Sequence, residues 1–225
     1  MAELELRGVR KSYGKKAVLR AASFSAESGA CVGIVGENGS GKTTLLRIMA
    51  GILRPDAGSF LFRGEEQLGV KKRSGAVGFV PQGAPVVGEL TALDNLRLWY
   101  GKRALEESLE GGVLRTLGVG DFLTVRADRL SGGMRKRLVI GCAMARGPQV
   151  MLLDEPTAAL DLPAKAGVLR YFRDFSAGGG ITVMATHDRE ELNLCSEVYV
   201  LTEGLLLPYA FDGDMDRLVG RLKGQ

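Results

Sequence analysis

The chain has 225 residues, 45% apolar and 25% charged, with a formal net charge of +4. That is enough chain for one large α/β domain, or for a core with a small inserted subdomain, at an ordinary globular composition. No apolar run approaches the roughly 20 residues that span a bilayer, and the Lys/Arg clusters KKR at 71–73 and RKR at 135–137 are too short for a nucleic-acid-binding tail.

In chain order, the opening MAELELRGVRK carries no apolar core of the kind found in signal peptides, which favours a cytoplasmic protein. LELRGVRKSY, AVLRAASFSA and GSFLFRG then read as strands separated by Gly- and Lys-rich turns, an antiparallel layer. ACVGIV (30–35), VGFV (77–80), VMLL (150–153), ITVMA (181–185) and VYVL (198–201) are short continuous apolar runs without alternation. Such runs suit strands of a mostly parallel sheet buried on both faces. From 84 to 147 the apolar spacing turns helical, in LTALDNLRLWY, ALEESLEGGVLRTLG and MRKRLVIGCAMARG, which reads as an inserted helical subdomain. The expected division is core and β subdomain at 1–83 and 148–210, helical subdomain at 84–147, and a short tail at 211–225. Cys31, Cys142 and Cys195 are far apart, lack metal-ligand spacing and sit among apolar residues, so they are expected to be buried reduced thiols.

Chemistry concentrates at the ends of the apolar runs. GENGSGKTT at 36–44 follows one strand and opens a helix. Its Gly36-x-x-x-x-Gly41-Lys42-Thr43 pattern lets backbone N–H groups curl around phosphate oxygens, with the helix N-terminus behind them. Lys42 can bridge β- and γ-phosphates, and the Thr43 hydroxyl can ligate Mg²⁺. VMLLDEPT at 150–157 ends a strand in two carboxylates at the edge where open α/β sheets bind ligands. Asp154 is placed to hold Mg²⁺ through its water shell, and Glu155 to accept a proton from a hydrolytic water. The only histidine, His187, follows a buried strand at the same sheet edge as Asp154, which favours a γ-phosphate contact over a structural role. Gln82 follows VGFV within reach of the metal and attacking water, though alone it also suits an ordinary loop. Tyr13 can stack on an adenine ring or pack in its strand. Ser131-Gly132-Gly133 is a second candidate anion turn, opening a helix that carries Arg135, Lys136 and Arg137. Those basic residues read as a solvated helix face.

Tyr13, GENGSGKTT, Gln82, LSGGM at 130–134, VMLLDEP, AALD at 158–161 and His187 together resemble, in order and approximate spacing, the nucleotide-binding subunits of ABC (ATP-binding cassette) transporters. The resemblance covers nearly the whole chain. It implies a P-loop NTPase (RecA-like) core and ATP hydrolysis with Mg²⁺. ATP would be held by Tyr13, Gly36, Asn38, Gly39, Ser40, Gly41, Lys42, Thr43 and Thr44, and the metal by Thr43, Gln82 and Asp154. Glu155, His187, Gln82 and Lys42 would do the chemistry. It also implies a head-to-tail pair of cassettes in which Ser131, Gly132 and Gly133 close over the ATP of the opposite chain. Asp161 would then lie at the pair's seam, although Asp161 before a Pro-containing helical start also suits a helix cap. A separate membrane permease would be the second partner, with the chain peripheral on the cytoplasmic face. Val86 and Val87 are the candidates for a permease groove, while Leu93, Leu96 and Trp99 are expected in the subdomain's own core. No nucleic-acid partner is expected, since a DNA- or ribosome-acting cassette would carry clamp or coiled-coil insertions. Where the family's familiar signature has Gln, this chain has Met134, which with the short tail favours export.

Overall fold

The computed structural model describes residues 3–66, 75–83, 85–158 and 160–223. The KKR run at 71–73 and Ala159 of the AALD segment lie outside the described residues. In chain order the elements are β1 (Leu4–Tyr13), β2 (Lys16–Ala26), β3 (Cys31–Val35), α1 (Lys42–Met49), β4 (Ala57–Phe62), β5 (Glu65–Glu66) and β6 (Val77–Val80). Then come α2 (Ala92–Arg97), α3 (Lys102–Glu110), α4 (Val113–Thr116), α5 (Gly132–Met144) and β7 (Val150–Asp154). The chain continues through α6 (Leu162–Ala177), β8 (Ile181–Ala185), α7 (Arg189–Leu192), β9 (Glu197–Thr202), β10 (Leu205–Tyr209) and α8 (Met215–Leu222).

These strands form two sheets. An antiparallel sheet runs β2-β1-β4-β5, and a six-stranded sheet runs β10-β9-β3-β8-β7-β6, with only β10 antiparallel to its neighbour. The apolar runs of the sequence account for the second sheet. β3, β7 and β8 are buried at every residue, because helices or the other sheet cover both faces. Two strands carry no such signal. β5 is only two exposed glutamates. β10 contains Pro208, which an edge strand tolerates because its missing N–H faces away from the ladder.

Successive residues of the parallel sheet face different cores. Val150 and Leu152 of β7, with Ile181, Val183 and Ala185 of β8, pack toward α1 and the antiparallel sheet. Met151, Leu153 and Met184 pack with the helices between β6 and β7 and with Val168 and Phe172 of α6. The sequence ALEESLEGGVLRTLG breaks into α3 and α4 at Gly111-Gly112, where a Cβ on Gly112 would lie 2.8 Å from Ser108 Cα.

Leu96 is fully buried and Leu93 packs beside it, as expected. Trp99 corrects the expectation. It is 56% exposed, because α2 stops at Arg97 and the last turn carries the indole past the subdomain's core. The three cysteines are free; burial pushes the Cys142 thiol up to about 12, so it stays protonated near neutrality.

Candidate functional site

The loop between β3 and α1 is shaped by glycines at two decisive points. Gly41 has φ 112, closed to ordinary side chains, and a Cβ there would meet Val18 Cγ1 at 2.8 Å. Gly36 lies against β9, where a Cβ would be 2.6 Å from the Leu201 carbonyl oxygen. Lys42, first residue of α1, folds back so that Nζ donates to the carbonyls of Gly36 (2.6 Å) and Glu37 (3.0 Å). Burial lowers its pKa, against the field of Glu155 and Asp154.

Across the loop stands the end of β7. Thr43 Oγ1 donates to Asp154 Oδ2 at 2.7 Å, joining residues 111 apart in sequence. Asp154 is 2% exposed, and burial raises its pKa while the Thr43 bond opposes the rise. Glu155 follows in left-handed backbone, φ 49, a strained conformation for a non-glycine residue. Its N–H donates to the Ala185 carbonyl of β8 (2.9 Å), which holds the strained turn. Gln82 Nε2 donates to Glu155 Oε2 at 2.8 Å, and His187 Nδ1 lies 3.4 Å from Glu155 Oε1. These contacts gather Lys42, Thr43, Gln82, Asp154, Glu155 and His187 from four separate strand ends. All of these but His187, which stands exposed beside Glu155, line a cavity of about 430 Å³ together with Val18, Asn38, Gly39 and Thr44.

The donor set fits Mg²⁺. The Thr43 hydroxyl, the Asp154 carboxylate and the Gln82 amide oxygen are hard oxygen donors of residues that line one cavity, few enough that a bound Mg²⁺ would keep coordination positions for water and phosphate. Tyr13, at the end of β1, is 52% exposed, with Lys11 Nζ 5.9 Å from its ring centroid.

Ser131, Gly132 and Gly133 are absent from the described lining of that cavity. They start α5, where Ser131 Oγ caps the helix by accepting from the Met134 N–H at 3.2 Å. Ser131 and Gly132 are exposed. Asp161 caps α6 by accepting from the Ala164 N–H at 2.8 Å, as its sequence context implied.

Residues 19–158, more than half of the chain, match the family model of ABC transporters. The chain belongs to the ABC transporter family. Among relatives, an Fe(3+) ions import ATP-binding protein of Rhodococcus jostii is 37% identical over 211 residues, covering 90% of this chain and 60% of that protein. A Nod factor export ATP-binding protein I of Sinorhizobium fredii is 36% identical over 209 residues, covering 89% and 60%. The chain thus spans about three fifths of the length of these relatives, and their names cover both directions of transport. A dimeric ATP-binding cassette in a post-hydrolysis state with ADP and Pi superimposes with a TM-score of 0.79 at 27% identity, covering 90% of this chain and 96% of that one. The α/β P-loop architecture is therefore that of ABC ATPase cassettes, and the family binds nucleotide.

Against the family's frame, this ABC chain departs from two sequence expectations. The RKR run is not a solvated face. Lys136 is 3% exposed, and its Nζ donates to the carbonyls of Pro81 (3.2 Å), Asp154 (3.3 Å) and Gln82 (3.5 Å). Arg135 reaches the Ala127 carbonyl (3.1 Å), and Arg137 reaches the Leu117 carbonyl (3.0 Å) while lying over the Phe122 ring. Three consecutive helical positions cannot all face one way, and here loops wrap the helix on three sides.

The second departure concerns the groove. Trp99, Ile52, Phe79, Pro85, Val139 and Cys142 help to line a predominantly apolar cavity of about 540 Å³. Val86 instead packs against the helical subdomain's core, whereas Val87 has its backbone bound on both sides by Asn95 and its side chain 44% exposed. Neither valine is among its described lining residues.

Glu191 of α7 is a further residue that sequence reasoning passed over. It is fully buried, and its Oε1 accepts from the Thr157 N–H (2.9 Å) and Oγ1 (2.5 Å), fastening the turn after Glu155 to the helix after His187. Its only sequence signal is a second acid beside Glu190 at the start of a helix that follows THD.

Proposed function

We propose that the chain is the ATP-binding and hydrolysing subunit of an ABC transporter, driving transport through a separate membrane permease. The carrying observation is the convergence of Lys42, Thr43, Gln82, Asp154 and Glu155 on one cavity, with His187 beside Glu155 and the Ser131–Gly133 turn held apart from the cavity. ATP enters with its phosphates on the 36–44 loop. Lys42 exchanges the Gly36 and Glu37 carbonyls for phosphate oxygens, and Tyr13 offers its exposed ring to the base. Mg²⁺, held by Thr43, Asp154 and Gln82, supplies charge neutralisation at the phosphates when bound. Glu155 accepts the proton of the attacking water, with Gln82 and His187 fixing its carboxylate from either side.

Two copies pair head to tail, so that each Ser131–Gly133 turn meets ATP held by the other. The geometry favours this reading. Ser131 Oγ accepts from its own helix, which leaves its hydroxyl proton to donate, and the α5 N-terminus adds ~0.3–2 kcal/mol toward an anion. Charge-assisted bonds from Ser131 and backbone N–H groups add roughly 1.5–3 kcal/mol each while the γ-phosphate is present. Hydrolysis removes them, and the pair opens. No described helix is long and apolar enough to cross a membrane. The groove beside Trp99 takes an apolar segment of the permease, which holds the chain at the membrane's cytoplasmic face.

The test is Glu155→Gln. ATP binding is retained, turnover falls by roughly 10²-fold or more, and light scattering with ATP shows a doubled mass. Undiminished turnover overturns the assignment.

A further inference from the structure

Lys136 is a buried cation that the hydrolytic scheme above does not use. It sits on the second turn of α5, the helix whose first turn carries Ser131, Gly132 and Gly133. Burying an ammonium costs several kcal/mol unless its protons and charge are met. Here Nζ lies 3.2 Å from the Pro81 carbonyl oxygen, 3.3 Å from that of Asp154 and 3.5 Å from that of Gln82. The charge lies in the field of Asp154, Glu191 and Glu155. An apolar side chain would fill the same space without that desolvation cost.

The three carbonyls come from two segments more than 70 residues apart, which meet the catalytic groups at their backbone. One carbonyl is that of Gln82 itself, and the Asp154 carbonyl belongs to the peptide that joins Asp154 to Glu155. The side chains of Gln82 and Glu155 are in turn joined at 2.8 Å. One ammonium therefore holds both ends of the Gln82–Glu155 pair to the signature helix.

We propose that Lys136 is a positioning residue that makes the placement of Gln82 and Glu155 depend on the placement of the Ser131–Gly133 helix start. The consequence between chains rests on the head-to-tail pairing above. A helix start seated on the partner's ATP sets the water-activating groups of its own chain, so the two sites do not fire independently. A displacement of about 1 Å at such groups costs on the order of 10²-fold in rate, within the play a lost three-way anchor allows.

The test uses the full chain as Lys136→Met and Lys136→Gln, each alone and with Glu155→Gln. Fluorescent-ATP titration in the Glu155→Gln background reads binding. Steady-state hydrolysis reads kcat, KM and the Hill coefficient. For Lys136→Met, ATP affinity and KM stay within about threefold while kcat falls roughly 10–100-fold. Lys136→Gln, which restores two N–H donors without the charge, recovers part of that loss and shows a lower Hill coefficient than wild type. If the Met variant does not fold, the same split between kcat and ATP affinity is required of the Gln variant. Wild-type kcat in either variant overturns the proposal. So does a parallel loss of ATP affinity and kcat that Gln does not relieve, which marks a packing role only. Light scattering of Glu155→Gln with ATP tests the pairing separately. A monomer there removes the pairing, while the kcat split still decides Lys136; a dimer with an unchanged Hill coefficient in Lys136→Gln overturns the coupling between sites.

Discussion

Thr43→Val removes one hydroxyl and keeps the branched shape of the side chain. Without nucleotide, that hydroxyl donates to Asp154 Oδ2 at 2.7 Å, and Asp154 is 2% exposed. A hydrogen bond to a charged group contributes roughly 1.5–3 kcal/mol. Lys136 and Lys42 also favour the ionised carboxylate, so a value in the lower half of that range, about 2 kcal/mol, applies. In a chain of this size each kcal/mol moves Tm by roughly 2–4 °C, so the variant melts about 4–8 °C below wild type at pH 7 without nucleotide and Mg²⁺. The sign with pH follows from Asp154, whose folded pKa is raised by burial and kept from rising further by Thr43. The valine lets it rise, so the deficit is full where Asp154 is ionised and fades as acid protonates it. Thr43→Ser keeps the donor and melts close to wild type. In hydrolysis assays the valine variant needs more Mg²⁺ for half-maximal turnover, because the same oxygen is the proposed metal ligand. A Thr43→Val melt within 1 °C of wild type at pH 7, or a serine variant equally destabilised, refutes the bond's role.

Met134→Gln retains most ATPase activity, because Met134 offers the Ser131 cap only its backbone N–H, which Gln also has; collapse to background in a phosphate-release assay contradicts this. Trp99→Ala lowers permease-stimulated turnover and weakens co-purification with the permease about tenfold or more, as loss of a central aromatic anchor does. Leu98→Ala, 60% exposed but absent from the groove's described lining, is the control, and equal effects of the two remove the groove assignment. Asp188→Asn destabilises the fold at pH 7, with a deficit that closes in acid. Partial burial opposes ionisation of Asp188, but bonds from Lys165 and from the Glu191 and Glu190 amides outweigh it and hold its pKa below the usual value. Its contribution is thus present above the ordinary carboxylate range and lost as pH falls through the depressed value; a pH-independent difference in thermal melts excludes this.

The parts of the fold written in local pattern were legible. β1 coincides with LELRGVRKSY and β6 with VGFV, since alternating or continuous apolar runs reflect which faces are covered. The phosphate loop was legible because glycine spacing is a backbone requirement. β10 was not, because Pro208 and a short hairpin at a sheet edge leave no periodic signal. Trp99 misled, because an apolar residue at helical spacing looks the same whether its helix continues or ends. Lys136 was invisible for a different reason. A basic triplet on a helix is solvated by default, and what buries this lysine is carbonyls from residues 81, 82 and 154, which no local window contains.

The alternation along β7 makes the sheet a partition with two independently loaded sides. Leu152 and Leu153 are chain neighbours, fully buried, and belong to different cores. Truncating the first to alanine slackens the side that carries the phosphate loop; truncating the second slackens the side that carries the signature helix. Adjacent codons thus address separate cores, and a pair of neighbouring substitutions can loosen the two sides of the sheet one at a time.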